Sequence, residues 1–188
     1  MGKLTPSLVV ETDALREAYA AFNRNDIPAT VKALDPQIEW TEPAEFPGGG
    51  TYHGHAGVQA YLSQSRGNWA EGSSEPERFI VAGVKIIVFV HVRVRLKDST
   101  EWHERRLADV FTFRNGKAIQ MRAFADRRQA LEWAGVKASD ATDPLPKVCE
   151  YSWMEVKSEI IRADAASNCS FRWWFFSVGA TRRYSSIS

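Results

Sequence analysis

Three acidic side chains hold places where proton chemistry is conceivable. Asp109 lies inside Leu107-Ala-Asp-Val-Phe-Thr-Phe113, a run that otherwise reads as buried strand. Glu42 ends the strand-like segment QIEWTEP just before Pro43 and a Gly-Gly-Gly loop, and Asp126 closes the apolar run AIQMRAFAD. A carboxyl surrounded by apolar groups tends to keep its proton unless a cation or hydrogen-bond donors satisfy it. In its neutral form it can donate to an enolate-like oxygen, and in its charged form it can accept a proton. Each acid also has an ordinary reading. Asp109 could pair with Arg93, Arg95 or Arg105 inside the fold. Glu42 could be an exposed strand end. Asp126 could cap the helix-like segment DRRQALEWAG.

Other chemistry finds less support. His53 and His55 stand two apart, but no carboxylate at helical spacing completes a set, and His91 and His103 fall on separate strands, so no metal site is expected. The Gly-Gly-Gly stretch lacks the Lys-Ser/Thr partner of a phosphate loop. No serine or cysteine triad can be assembled, and no cofactor is implied. Cys149 and Cys169 form no CxxC pair, so a disulfide framework is not expected.

The elements that would position these acids read in order along the chain. TDALREAYAAFNRND (12–26) repeats Leu15, Ala18, Tyr19 and Phe22 at helical spacing, with Thr12 as its cap. Asn25-Asp26 caps a shorter helix, IPATVKAL, which Asp35-Pro36 ends. QIEWTEP is a short strand, AEFPGGGTYHG an irregular loop and HAGVQAYLSQSR a third helix. Strands then follow: ERFIVAG, VKIIVFVHVRVRL, EWHERRLADVFTF and AIQMRAFAD. In the second of these, even positions 84–96 are all apolar, while odd positions turn polar at His91, Arg93 and Arg95. Asn115-Gly116 is a strong hairpin signal. The expected fold is α+β, a cone-like roll with three N-terminal helices on a curved, mainly antiparallel sheet. His103, Arg105, Leu107, Asp109 and Phe111 then share one face. Asp109 and Asp126 fall on opposite faces if their strands lack bulges.

Composition narrows the function classes. The chain has 188 residues, of which 44% are hydrophobic, enough for one domain with an appendage. Its 24 basic and 23 acidic residues leave a net charge of +1, and no basic run is interleaved with aromatics, so nucleic acid is not an expected partner. No run approaches the ~18 apolar residues of a membrane span, and MGKLTPSLVVETDAL meets acids too early for a secretory leader, so the expectation is cytoplasmic. The regular pattern occupies residues 1–138. Residues 139–188 read as a turn-rich linker, SDATDPLP, and an atypical tail. SFRWWFFSVGATRRYSSIS within that tail could cover the domain, join a subunit, touch a membrane surface or be an altered C-terminus.

AYAAFNRNDIPATVKAL, IEWTEP, GTYHGHAGVQAYL and DVFTFRNGKAIQMRAFAD together resemble the SnoaL-like polyketide cyclase and ketosteroid isomerase group of the nuclear-transport-factor-2-like superfamily. The resemblance covers roughly residues 10–135. It implies that Glu42 stands at the position of the carboxylate base and Asp109 at that of a neutral acid donating to an oxyanion. Asp126 matches an acid that the cyclases place at the end of the last strand. The family's oxyanion tyrosine falls on Ala18, with Tyr19 about 100 degrees further round the helix, which argues against steroid isomerisation. Arg93-Val-Arg95 lacks the acid that epoxide hydrolysis requires. The implied activity is proton transfer next to a carbonyl, on a small apolar or polyketide-like molecule, in a homodimer. Tyr19, Trp40, His103, Arg105, Phe111, Met121 and Phe124 are the expected substrate contacts. The alternative is a non-catalytic ligand-binding or oligomerisation module built on the same shell.

Overall fold

The structure is a computed structural model, and it describes residues 6–137; the expected linker and tail lie outside them. Helix α1 runs Pro6–Asn23 and is followed by the single-turn helix α2, Ile27–Thr30, and a 3-10 turn at Val31–Ala33. Strands β1 (Leu34–Glu42) and β2 (Gly50–His53) precede helix α3 (Gly54–Gly67). Four long strands then meander: β3 (Trp69–Ala82), β4 (Lys85–Leu96), β5 (Trp102–Arg114) and β6 (Lys117–Phe124). Helix α4, Arg127–Ala134, closes the described part.

The six strands form one open sheet in the order β2-β1-β6-β5-β4-β3. Every pairing is antiparallel except β1 with β6. This is the expected α+β roll, with helices against a curved, mainly antiparallel sheet. Alternation along β4 divides the core. Ile86, Val88 and Val90 face Leu15, Phe22, Val58 and Leu62 of the helical layer. Ile87 and Phe89 face the other way, with Ala108 and Val110, onto Ala130 and Leu131 of α4. The first half of β4 is therefore buried on both sides, which is why its sequence is continuously apolar.

Local chemistry explains most boundaries. Asp26 accepts from the Ala29 amide at 3.1 Å and starts α2. Asp126 accepts from the Arg128 amide at 2.7 Å and starts α4. Gly135, with φ +80°, ends that helix by returning its amide to Glu132 O and letting Val136 reach Leu131 O.

Several boundaries differ from the sequence expectation. Thr12 lies within α1, which begins at Pro6. Asp35 and Pro36 belong to β1 rather than to a helix end. The segment 50–53, expected to be irregular, pairs with β1 as β2. The largest difference is β3, which begins at Trp69, eight residues before the expected start at Glu77. Gly72 and Pro76 break the strand pattern in sequence, but register shifts at both ends of residues 69–78 absorb them. Gly72 has φ +130°, and a Cβ there would sit 2.3 Å from the Arg93 carbonyl oxygen. Only glycine fits that approach to β4.

Candidate active-site cavity

A cavity of about 210 Å³ lies between the helical layer and the concave face of the sheet. Leu15, Ala18, Tyr19 and Phe22 of α1 form one wall, and Tyr61 and Leu62 of α3 another. Trp40 and Glu42 of β1, and Leu107, Asp109 and Phe111 of β5, come from the sheet. Phe46, Pro47 and Gly48 of the loop after β1 line it as well. Among the described residues, no lysine, arginine or histidine is in the lining.

Period-two alternation brings Leu107, Asp109 and Phe111 to this face of β5, so the one acid in an apolar run points where a guest would sit. Tyr19 donates its hydroxyl to Asp109 Oδ2 at 2.6 Å. Asp109 keeps partial accessibility because its carboxyl forms cavity wall. Burial beneath α1 still raises its pKa from 3.8 to about 6, and the Tyr19 hydroxyl pulls against that rise. Glu42 is buried. Its Oε1 accepts from Trp40 Nε1 at 2.8 Å, and Tyr61 lines the same cavity. Burial, then the charge of Asp109, push its pKa from 4.5 to about 8, outweighing the Trp40 donor. Burial, and then the charges of the two acids, drive Tyr19 and Tyr61 well above the ordinary tyrosine value, so both hydroxyls keep their protons.

The internal salt bridge that could have explained Asp109 is not formed with the candidates named from sequence. Arg95 pairs with Glu71 at 2.7 Å. Arg93 stacks over Trp102, and Arg105 over the Phe46 ring at 4.7 Å. What acts on the Asp109 proton is burial and a tyrosine hydroxyl.

The expected site residues divide sharply. Glu42, Asp109, Tyr19, Trp40 and Phe111 meet in the cavity. Asp126 does not: its carboxylate caps α4 at the end of β6. Phe124 is turned to the opposite side of the sheet, against Trp133. Met121 is fully buried behind the cavity, in register with Trp40 and Phe111. His103 and Arg105 share the face of Asp109 but lie beyond the lining. Tyr19 corrects the expectation drawn from helical angle. Ala18 and Tyr19 both line the cavity, and the length of the tyrosine carries its hydroxyl to Asp109 despite the one-residue offset. Tyr61 was missed, because within HAGVQAYL it reads as an ordinary apolar helix position. His55, once a conceivable metal ligand, bonds the Leu34 carbonyl at 3.1 Å through Nε2. No helix among the described residues is long and apolar enough to cross a membrane.

This shell matches a known family. The SnoaL-like domain model matches residues 15–121, more than half of the chain, and the chain belongs to that family within the NTF2-like superfamily. Solved structures agree. An NTF2-like protein of unknown function from Burkholderia pseudomallei shares 30% identity, with a TM-score of 0.57 over 65% of this chain and 95% of that one. An NTF2-like protein from Burkholderia xenovorans shares 28%, with a TM-score of 0.54 over 67% of this chain and 95% of the other. TerC, co-crystallised with polyporic acid, shares 26%, with a TM-score of 0.56 over 67% of this chain and 98% of its own. The comparison with curated proteins found no match.

Proposed function

We propose that the cavity catalyses proton transfer at a carbon next to a carbonyl, in the manner of an isomerase or cyclase, on a small uncharged molecule. The observation that carries this reading is the meeting of two carboxyls of raised pKa, Glu42 and Asp109, with the Tyr19 hydroxyl in one largely apolar cavity. Between pH 6 and 8 the pair holds one proton and one negative charge, as two close carboxyls in a low-dielectric site should. At rest the higher proton affinity of Glu42 keeps the proton there and the charge on Asp109; the productive arrangement is the other tautomer, reached by passing that proton to Asp109 and leaving the charge on Glu42. Asp109 then donates to the substrate oxygen, the Tyr19 hydroxyl, released once Asp109 is protonated, turns to the same oxygen, and Glu42 takes the neighbouring carbon-bound proton. The electron pair of the C–H bond moves into an enolate whose charge those two donors stabilise. Return of the proton to another carbon completes isomerisation and restores Glu42. The negative charge shared by the two lining acids would repel a carboxylate or phosphate, which favours an uncharged guest. The cavity's volume suits a molecule of one or two rings, since about 150 Å³ is enough for benzene.

The direct test is hydrogen exchange. A panel of ring ketones is incubated with the protein in deuterated water, and incorporation next to the carbonyl is followed by mass spectrometry. Exchange that falls at least a hundredfold in both Glu42→Gln and Asp109→Asn supports the reading. Exchange unaffected by either substitution would defeat it.

A further inference from the structure

The proton-transfer reading uses one end of the cavity and leaves the other unassigned. Asp109 lies across the ladder from Val88 of β4, and Ser74 of β3 lies across from Val92, four residues further along that strand. Four residues of strand span about 13 Å. Helix α3 follows the same course: Tyr61, Ser65 and Asn68 line the cavity at i, i+4 and i+7, and the stripe turns from aromatic to polar. Ser74 stands on a face of β3 that is otherwise built to be apolar. The register shift between Pro76 and Arg78 puts it on the side of Phe79 and Val81, which pack on the core. Its main chain is satisfied at the outer edge of the sheet. The amide donates to Asn23 Oδ1 at 2.8 Å, and the carbonyl accepts from Asn23 Nδ2 at 3.1 Å. That leaves the hydroxyl. Ser74 is 8% exposed and lines the cavity, and its hydroxyl bonds no other described residue. Asn68 lines the same end. Its amide donates to Ser65 O at 3.3 Å and its carbonyl accepts from the Lys97 amide at 3.1 Å, so its main chain is fixed, while its side-chain amide bonds no other described residue. Thr30, also in the lining, gives its hydroxyl to the Asp26 carbonyl at 2.9 Å.

We infer that Ser74 and Asn68 form a neutral hydrogen-bonding subsite that receives a second oxygen function, a hydroxyl or a carbonyl, at the far end of the substrate. A buried hydroxyl without a partner costs stability, and alanine would sit on this apolar face at lower cost. A hydroxyl donates and accepts, and a side-chain amide offers two donors and an acceptor oxygen, so the pair can serve a neutral oxygen of either kind. Between the subsite and the acids the walls are apolar, with Phe22, Val92 and Leu107 among them. The substrate class that matches is an elongated, uncharged ketone with two rings in line and an oxygen at each end. Its ketone end rests on the proton-transfer reading; the far subsite rests on its own geometry.

The probes are cyclohexanone carrying a phenyl group opposite the carbonyl, and the same ketone with a para-hydroxyl on the phenyl ring. They differ by one hydroxyl at the end remote from the carbonyl. Dissociation constants of both are measured by calorimetry, and deuterium uptake next to the carbonyl is followed separately by mass spectrometry. The parent should bind the hydroxylated ketone about tenfold more tightly, the gain expected of one well-made neutral hydrogen bond. In Ser74→Ala that preference should fall to about twofold or less, and Asn68→Ala, the second variant, should reduce it in the same direction. Ser74→Ala should unfold in urea no earlier than the parent; earlier unfolding would assign the hydroxyl to the fold and overturn the inference. A parent without preference for the hydroxyl, or a preference that survives in both variants, would overturn it as well, even if both ketones exchange and the proton-transfer reading stands. A preference lost in the variants of a protein that exchanges neither ketone would retire the proton-transfer reading and leave the subsite intact.

Discussion

Replacing Glu42 by glutamine should make the protein more stable and less able to move protons, and the gain should depend on pH in a prescribed way. Glutamine keeps the carbonyl oxygen that accepts from Trp40 and keeps the volume of the side chain, but it cannot ionise. In the unfolded chain Glu42 titrates near 4.5, and in the folded protein near 8. The folded state therefore binds the proton more tightly. The stability linked to that proton is complete below pH 4.5 and is lost progressively as pH rises to 8. At about 1.4 kcal/mol per pH unit, Glu42→Gln should exceed the parent by about 1 kcal/mol at pH 5, about 3 at pH 7 and about 5 at pH 9. Urea unfolding of both proteins at the three pH values measures the difference, and subtraction removes every other titrating group. A difference that stays flat across pH would refute the reasoning, because it would mean that Glu42 ionises in the fold as easily as in water.

Other consequences follow from the same geometry. Ketone exchange should follow a bell-shaped pH profile with limbs near 6 and 8, because only the singly protonated Glu42–Asp109 pair has both a base and a donor. Tyr19→Phe removes the 2.6 Å bond to Asp109 and one donor to the substrate oxygen, so exchange should fall by about 10²–10³. The same variant should lose about 1.5–3 kcal/mol in urea above pH 6, where Asp109 is charged. Gly49→Ala would place a Cβ 2.2 Å from the Pro43 carbonyl oxygen and force the loop to move, costing about 1–3 kcal/mol and weakening ligand retention more than overall folding. Asp126→Ala should cost about 1 kcal/mol through loss of the α4 cap while leaving the exchange profile unchanged.

The sheet was largely legible because alternation along β4 and β5 follows burial so closely. The even-numbered Ile86, Val88 and Val90 and the odd-numbered Leu107 and Phe111 all turn toward one core. The same alternation exposed Asp109, since a carboxylate in that phase has to face the interior of the cone. Glu42 was readable through the family resemblance more than through pattern, for Thr-Glu-Pro alone describes many strand ends. The first half of β3 was hidden because Gly72 and Pro76 are poor strand residues. What places them in the sheet is the close approach to β4 and the adjoining register shifts, neither of which has a local signature. Asp126 shows the opposite failure. An acid after the last strand and before a helix satisfies both a catalytic and a capping pattern, and the direction of its side chain decides between them. Tyr61 gave no signal, because an aromatic at a helix position reads the same whether it packs in a core or lines a cavity.

The division of the core explains how two costly acids can be held without collapse of the cavity around them. Raising a carboxyl pKa requires that water be excluded and that the surrounding groups stay in place, because a wall that relaxed would let solvent or a cation reach the charge. Asp109 sits on a strand whose reverse face, Ala108 and Val110, is sealed by Ala130 and Leu131 of α4. Neighbouring β4 is buried on both sides over the same stretch. Arg127 secures the start of α4 to this reverse side through Glu77 at 2.6 Å and the carbonyls of Val90 and Leu107. Strand β5 is therefore clamped between two cores, and the acid projects into the cavity from a support with little freedom to shift. Loosening the rear clamp should thus be felt at the front. Arg127→Ala, which touches no cavity residue's side chain, should lower the Asp109 titration midpoint toward its ordinary value by admitting water. A carbon-13 titration of labelled aspartate checks this, and an Asp109 midpoint unmoved in a folded Arg127→Ala protein would show that the acid is insulated by the helical layer alone.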